Sequence, residues 1–145
     1  MAKKFTLESA LKARKEANLE EWVQQYLRDE GHNIKLADIL RENKIVWVDL
    51  IKYNLDKLKR AMGPEEEMPF KEEKEKWEER IENFSVLIKG GFTPPPIIAT
   101  DFWDDISISD GTHRFEALKQ TGHKKYWVIF FIKNSISKQK ILENL

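Results

Sequence analysis

The chain has 145 residues, of which 41% are apolar and 34% charged, and its 25 basic and 25 acidic residues give a formal net charge of zero. This composition excludes general disorder, and the neutral charge argues against a protein whose whole surface binds nucleic acid. The sequence contains no cysteine, which excludes disulfides, thiol nucleophiles and cysteine-ligated metals. The longest apolar run, 127–132, is too short to span a bilayer, and we expect a cytoplasmic protein without membrane contact.

The N-terminal segment, residues 1–44, is expected to be a helical extension that packs on the core. Asn18 is the predicted N-cap of one of its helices, with Glu21 completing a capping box, and Gly31 is its predicted end. A short helix is expected over 35–41. The apolar residues recur at helical spacing and are interpreted as core, with a homodimer or partner surface as the alternative.

A domain over residues 45–145 is expected to follow, beginning with a β-branched and aromatic strand at 45–48. A short helix is predicted around Leu55, Leu58 and Met62, ending at the break before Pro64. A longer helix is predicted over 71–88. Its apolar stripe consists of Trp77, Ile81, Phe84 and Ile88.

The C-terminal part mixes strands and helices. Strands are predicted at 97–99, 106–109 and 126–132, and helices at 115–120 and 135–142. Asp104 and Asp105 are a predicted turn. Trp103, just before them, is interpreted as a hairpin anchor, with a position over a nucleotide base as the alternative. Because strands and helices do not alternate strictly, the pattern favours an α+β fold over a doubly wound sheet.

The segment Asp-Gly-Thr-His-Arg that begins at Asp110 is the candidate functional site, because it joins a predicted strand to a predicted helix. The first turn of a helix has unpaired N–H groups and a partial positive charge, so phosphate binds there. Gly111 allows close approach of a ligand, Thr112 and His113 add donors, and Arg114 can hold a phosphate by two parallel hydrogen bonds. The structural alternative is that Asp110 caps the helix and Arg114 pairs with a surface acid.

This motif and its neighbours resemble the core of the ParB/sulfiredoxin superfamily, in which a proline-led strand, a strand ending in Asp-Gly-x-His-Arg and a helix ending in glycine form a nucleotide-phosphate site. The matching segments here are 95–98, 106–114 and 115–122, and the resemblance covers roughly residues 45–132. It implies a small mixed sheet flanked by helices, with ATP, ADP or CTP as ligand. The implied binding residues are Gly111, Thr112, His113 and Arg114. Lys89, beside Gly90-Gly91, is a further candidate phosphate contact, with a surface position at a helix C-terminus as its alternative.

Two activities of that superfamily conflict with the sequence. Sulfiredoxins place a cysteine between the glycine and the His-Arg pair, where this chain has Thr112, so sulfinic-acid repair is not expected. Partition ParB proteins bind CTP and continue into a helix-turn-helix DNA-binding region. Only 31 residues follow Arg114, and the predicted elements use them, so we do not expect DNA binding by this chain alone.

The free serine kinase branch of the superfamily also carries Asp-Gly-x-His-Arg, and it uses a glutamate after a proline. Pro64 is followed here by Glu65 and Glu66, either of which is the matching residue, although both would also serve as an acidic helix start. The implied function is Mg²⁺-dependent phosphoryl transfer from ATP or ADP to a small hydroxylated molecule, with Asp110 as the metal ligand and His113 also catalytic. The alternative is a non-catalytic nucleotide- or protein-binding module of a partition, phage-defence or regulatory system.

Overall fold

The structure, a computed structural model, describes residues 5–103 and 105–145, so Asp104 of the predicted turn and the first four residues of the expected extension lie outside the described residues. Within that part of the chain the helices are α1 Leu7–Lys15, α2 Leu19–Arg28, α3 Ile34–Glu42, α4 Lys74–Lys89, α5 Thr112–Gln120 and α6 Ser135–Glu143. The strands are β1 Trp47–Asn54, β2 Met62–Gly63, β3 Phe70–Lys71, β4 Ile97–Trp103, β5 Asp105–Asp110 and β6 Lys125–Ile132. None of these helices is long and apolar enough to cross a bilayer.

Four strands form one mixed sheet in the order β1-β6-β4-β5. β6 pairs antiparallel with β1 and parallel with β4, and β5 returns antiparallel along the outer edge of β4. Helices flank this sheet, which confirms the predicted α+β class. The end of β5 and the start of α5 lie beside the loop between α2 and α3. Asn33 in that loop hydrogen-bonds to Asp110 at the end of β5.

The sheet is buried on both faces. Along β6, Val128 and Phe130 belong to one apolar cluster with α4, α5 and α6, whereas Ile129 and Phe131 belong to a second cluster with α1, α2 and α3. A strand buried on both faces carries a continuous apolar run instead of an alternating one, which accounts for the sequence of residues 127–132. The N-terminal helices therefore supply the apolar cover of one sheet face.

The predicted capping box at Asn18 is wrong. The backbone at Asn18 has ψ 24° instead of an extended value, and its side chain makes no capping hydrogen bond to α2. A reciprocal capping box forms instead at the start of α1. There the backbone N–H of Ser9 donates to Thr6 Oγ1 at 3.0 Å, and the N–H of Thr6 donates to Ser9 Oγ at 2.9 Å.

The predicted helix around Leu55, Leu58 and Met62 is also wrong. A single 3₁₀ turn, Leu55–Lys57, buries Leu55, after which the chain extends and the carbonyl of Lys59 accepts from the N–H of Ile108 at 2.8 Å. The leucine spacing of three residues suits one 3₁₀ turn as well as a helix. Met62 lies in β2, which pairs parallel with β3, and α4 consequently starts at Lys74 instead of residue 71.

Candidate functional site

A cavity of about 380 Å³ opens at the N-terminus of α5. Asp110, Gly111, Thr112, His113 and Arg114 all line it, so the whole motif faces one space. Residues from other parts of the chain complete the wall of the cavity, among them Tyr26, Glu30, Asn33, Met62, Arg80 and Phe84. Helices α2 and α4, the loop between α2 and α3, and β2 therefore enclose the start of α5, and we call this space the phosphate cavity.

Gly111 is required by the geometry of this turn. It lies at the N-cap position of α5 with φ +95°, a left-handed conformation that side chains disfavour. A Cβ atom at Gly111 would lie 2.6 Å from Nη2 and 2.9 Å from Cζ of Arg114. The glycine therefore lets the turn close directly against the guanidinium, and the backbone N–H groups of the first turn have no acceptor within the helix.

Arg114 is buried, with only 7% of its surface exposed. Its Nη2 donates to the carbonyl of Pro96 at 2.8 Å and lies 3.6 Å from Asp110 Oδ2. The guanidinium carbon lies 5.8 Å from the ring centre of Tyr26. Its Nε has no hydrogen-bond acceptor among the described residues. The arginine thus does not pair with a surface acid, and one buried donor is left for a ligand or water.

Asp110 does not cap α5. Its Oδ1 accepts from Asn33 Nδ2 at 3.0 Å, and its buried Oδ2 has no hydrogen bond from the described residues. Tyr26 closes the same side of the cavity, and burial raises the pKa of its phenol although Arg114 acts in the opposite direction. Tyr26 is therefore neutral at pH 7 and can donate a hydrogen bond.

His113 contacts a residue that the sequence did not indicate, Glu72. Its Nε2 lies 2.7 Å from Glu72 Oε2, and the side chains are 15% and 12% exposed. Glu72 Oε1 has no hydrogen bond and lies 3.8 Å from Nε of Arg80. The backbone N–H of Glu72 donates to the carbonyl of Gly63 at 3.1 Å, and Trp77 packs against the imidazole with 5.2 Å between ring centres. The β2–β3 pair therefore holds a carboxylate at the edge of the motif.

The other predicted site residues lie elsewhere. Glu65 Oε1 accepts from Arg60 Nη2 at 2.6 Å, and this hydrogen bond lowers the pKa of the carboxyl. Glu66 and Lys89 are exposed, and neither they nor Glu65 line the phosphate cavity. The structure does not bring these three residues to the motif, and their roles stay predictions.

Asp110 supplies a carboxylate oxygen of the phosphate cavity that suits a magnesium ion. Asp110 Oδ2 is buried and without a hydrogen bond, although Arg114 lies close to it. The described residues contain no group of three or more acids and histidines arranged to hold a metal. Mg²⁺ characteristically takes one or two carboxylates together with substrate phosphates, so Asp110 fits as a single ligand of an ion that arrives with a nucleotide.

A larger cavity, of about 520 Å³, lies between the α1–α2 turn and β1. Its charged pair, Arg14 and Asp49, is already joined at 2.7 Å, with side chains 49% and 29% exposed. No residue of the motif lines this space. Volume alone therefore does not indicate the functional site, and the smaller cavity has the buried polar groups with unused hydrogen-bonding capacity.

No family model and no curated protein sequence matches the chain. Among solved structures, the chain is similar to sulfiredoxin from Arabidopsis thaliana, with 15% identity and a TM-score of 0.44 over 65% of this chain and 97% of that one. It is also similar to the C-terminally truncated chromosome-partitioning protein ParB from Caulobacter crescentus complexed with CTP-gamma-S, with 20% identity and a TM-score of 0.45 over 67% of this chain. The match spans 53% of that ParB chain.

Proposed function

We propose that the chain binds the phosphate groups of a nucleotide at the N-terminus of α5. The observation that carries the proposal is Arg114, a buried guanidinium that lies beside the open first turn of the helix and whose Nε has no acceptor among residues 5–103 and 105–145. An anion at this point would receive hydrogen bonds from the helix N–H groups and would be favoured by the helix dipole. Leaving a buried charged donor unused costs free energy, which a bound phosphate would recover.

The surroundings support a nucleotide as the source of the phosphate. A cavity of about 380 Å³ falls in the size range of small-molecule sites, and its wall is mostly polar, with Tyr26, Met62 and Phe84 supplying apolar and aromatic surface. The sequence resemblance supplies ATP, ADP or CTP as the candidates. Because Glu30 and Asp110 also face the cavity, Mg²⁺ held partly by Asp110 would reduce repulsion of the phosphates.

The finer proposal is phosphoryl transfer to a small hydroxylated molecule. The acceptor oxygen bonds to the terminal phosphorus, the bond from that phosphorus to the bridging oxygen breaks, and the leaving nucleotide takes the electron pair. The acceptor's proton passes to a base of this chain. His113 lines the cavity and Glu72 contacts His113, whereas Glu65 and Glu66 would have to move towards the cavity to act as the base.

A thermal-shift series with ATP, ADP, CTP and GTP, with and without Mg²⁺, tests the binding proposal. A ligand at ~100 times its Kd stabilises by about 2.7 kcal/mol, which is roughly 5–10 °C for a domain of this size. Gly111→Ala should abolish the shift, because its Cβ displaces Arg114. Gly122→Ala is the matched control, since Gly122 has φ +93° and open space around its Cβ position.

The outcomes separate the two levels of the proposal. No shift with any nucleotide contradicts the binding site. A shift without formation of ADP from ATP, or AMP from ADP, in the presence of hydroxylated acceptors contradicts the kinase function and favours the non-catalytic module. If product forms, Glu72→Gln, Glu65→Gln and Glu66→Gln identify which carboxylate the rate depends on.

A further inference from the structure

A second cavity, of about 210 Å³, lies beside the phosphate cavity. It is formed by the start of α3, the β2–β3 pair and the β4–β5 hairpin. Apolar side chains supply most of its wall, and we call it the apolar groove. Its main apolar residues are Leu36, Ile39, Met62, Phe70, Trp103 and Ile108.

The apolar groove adjoins the phosphate cavity. Asn33, Met62, Ser109 and Thr112 line both spaces. Asn33 stands at the junction and is fixed at both ends of its amide. Its Oδ1 accepts from the N–H of Leu36 at 3.3 Å, and its Nδ2 donates to Asp110 Oδ1 at 3.0 Å. These two hydrogen bonds hold Asn33 in one orientation where the two spaces meet.

Two large aromatic side chains of the groove are open to solvent. Trp103 is 52% exposed and Phe70 is 55% exposed. Exposed aromatic surface beside a polar cavity is typical of a binding site, and aromatic faces are the surfaces on which nucleobases stack. The polar groups at the rim are few, namely Asn33, Lys35, Ser109 and Thr112.

We propose that the apolar groove binds the base of the nucleotide, with Trp103 or Phe70 as the stacking surface. This inference rests on the proposed phosphate site, because a groove that adjoins a site for nucleotide phosphates is where the base of the same nucleotide would lie. Stacking on an aromatic side chain tolerates every base, and the scarcity of polar atoms gives little hydrogen-bond readout. The groove therefore predicts affinity for a planar base with weak preference among ATP, GTP and CTP.

The test compares ATP with inorganic tripolyphosphate, which has the phosphates without the base, by calorimetric titration in Mg²⁺. Trp103→Ala should weaken ATP binding by roughly tenfold and leave tripolyphosphate binding unchanged. Trp103→Phe should retain most of the ATP affinity. Ile136→Ala is the control, because Ile136 is 69% exposed on α6 and lines neither space. Phe70→Ala replaces Trp103→Ala if that variant does not fold.

The failures of the two proposals are distinguishable. The proposal that the groove binds the base is contradicted if the wild-type protein binds tripolyphosphate as tightly as ATP. It is also contradicted if the Trp103→Ala and Phe70→Ala proteins both bind ATP as the wild type does. The proposed phosphate site stands in either case. Equal weakening of both ligands also contradicts the groove proposal, because the effect would then be on the phosphate cavity. Wild-type protein that binds neither ligand overturns both proposals.

Discussion

Each end of α5 has a glycine with a left-handed backbone conformation, but the surroundings of the two glycines differ. Gly111 before the helix has φ +95° and Gly122 after it has φ +93°. At the C-terminal end, Gly122 is exposed, and the N–H groups of Gly122 and His123 donate to the carbonyls of Lys119 and Leu118. At the N-terminal end, the glycine is covered by the guanidinium of Arg114. A glycine with positive φ therefore makes the turn at both ends of α5, but only the N-terminal glycine packs against a buried charged side chain.

This difference shows which residues of the motif indicate a ligand site. Glycine at a helix terminus is common, and the exposed C-terminal turn needs no ligand to satisfy its polar groups. The N-terminal turn holds an arginine and an aspartate with buried atoms that lack hydrogen bonds. The candidate site is therefore defined by Asp110 and Arg114 around the glycine. Two pairs of substitutions compare the two ends of α5, and a third pair compares Glu65 with Glu72 at the site.

The largest effect is expected for the charge at each end. Arg114→Met should lower the free energy of unfolding by about 3–5 kcal/mol, because Asp110 would remain buried without its partner. Lys119→Met at the C-terminal end should cost less than about 1 kcal/mol, since its ion pair with Asp56 is 3.8 Å long and exposed. Urea denaturation of both variants measures the difference. Equal losses would contradict a buried pair at the N-terminus.

An intermediate effect is expected for the two glycines. Gly122→Ala carries only the left-handed backbone penalty of about 1–2 kcal/mol. Gly111→Ala adds a steric conflict with Arg114, which raises the expected loss to about 2–4 kcal/mol. The same denaturation measurement applies, and a Gly111→Ala protein as stable as Gly122→Ala would show that the guanidinium is free to move away.

The smallest effect is expected for Glu65, the predicted acid that the structure places away from the helix end. Arg60 lowers the pKa of Glu65 from its ordinary value of 4.5, so this carboxylate stabilises the fold above that pH, and the contribution is lost as the pH falls through the lowered pKa. The side chain is 35% exposed, so Glu65→Gln should cost less than about 1 kcal/mol at pH 7.

Stability curves measured between pH 7 and pH 3 check this sign. The Glu65→Gln protein should lose less stability on acidification than the wild type, and its nucleotide affinity should be unchanged. Glu72→Gln is the paired variant at the site, where it alters the partner of His113. A loss of nucleotide affinity in Glu65→Gln alone would return the acid after Pro64 to the site and contradict the present assignment.

The sequence predicted the local parts of this account better than the long-range parts. The strand, turn and helix of residues 106–120 follow from alternation, a glycine and helical spacing, so the motif could be located. The contact of Glu72 with His113 spans 41 positions, and that of Asn33 with Asp110 spans 77. Glu72 lies within the strongly charged segment 71–80, where a solvated helix face is the usual interpretation, so no local signal distinguished it. Periodicity predicts which face of an element is buried, but not which distant side chain meets it.

The measurement that tests the central claim most directly is a ¹H–¹⁵N correlation spectrum of the isotopically labelled chain, titrated with ATP and Mg²⁺. It reports on the backbone N–H groups at both ends of α5 in one experiment. If phosphate binds at the N-terminus of α5, the amide signals of residues 111–114 move most and those of residues 121–123 stay in place. Unchanged signals at residues 111–114, or larger movements at the C-terminal end, would contradict a phosphate site at the N-terminus of this helix.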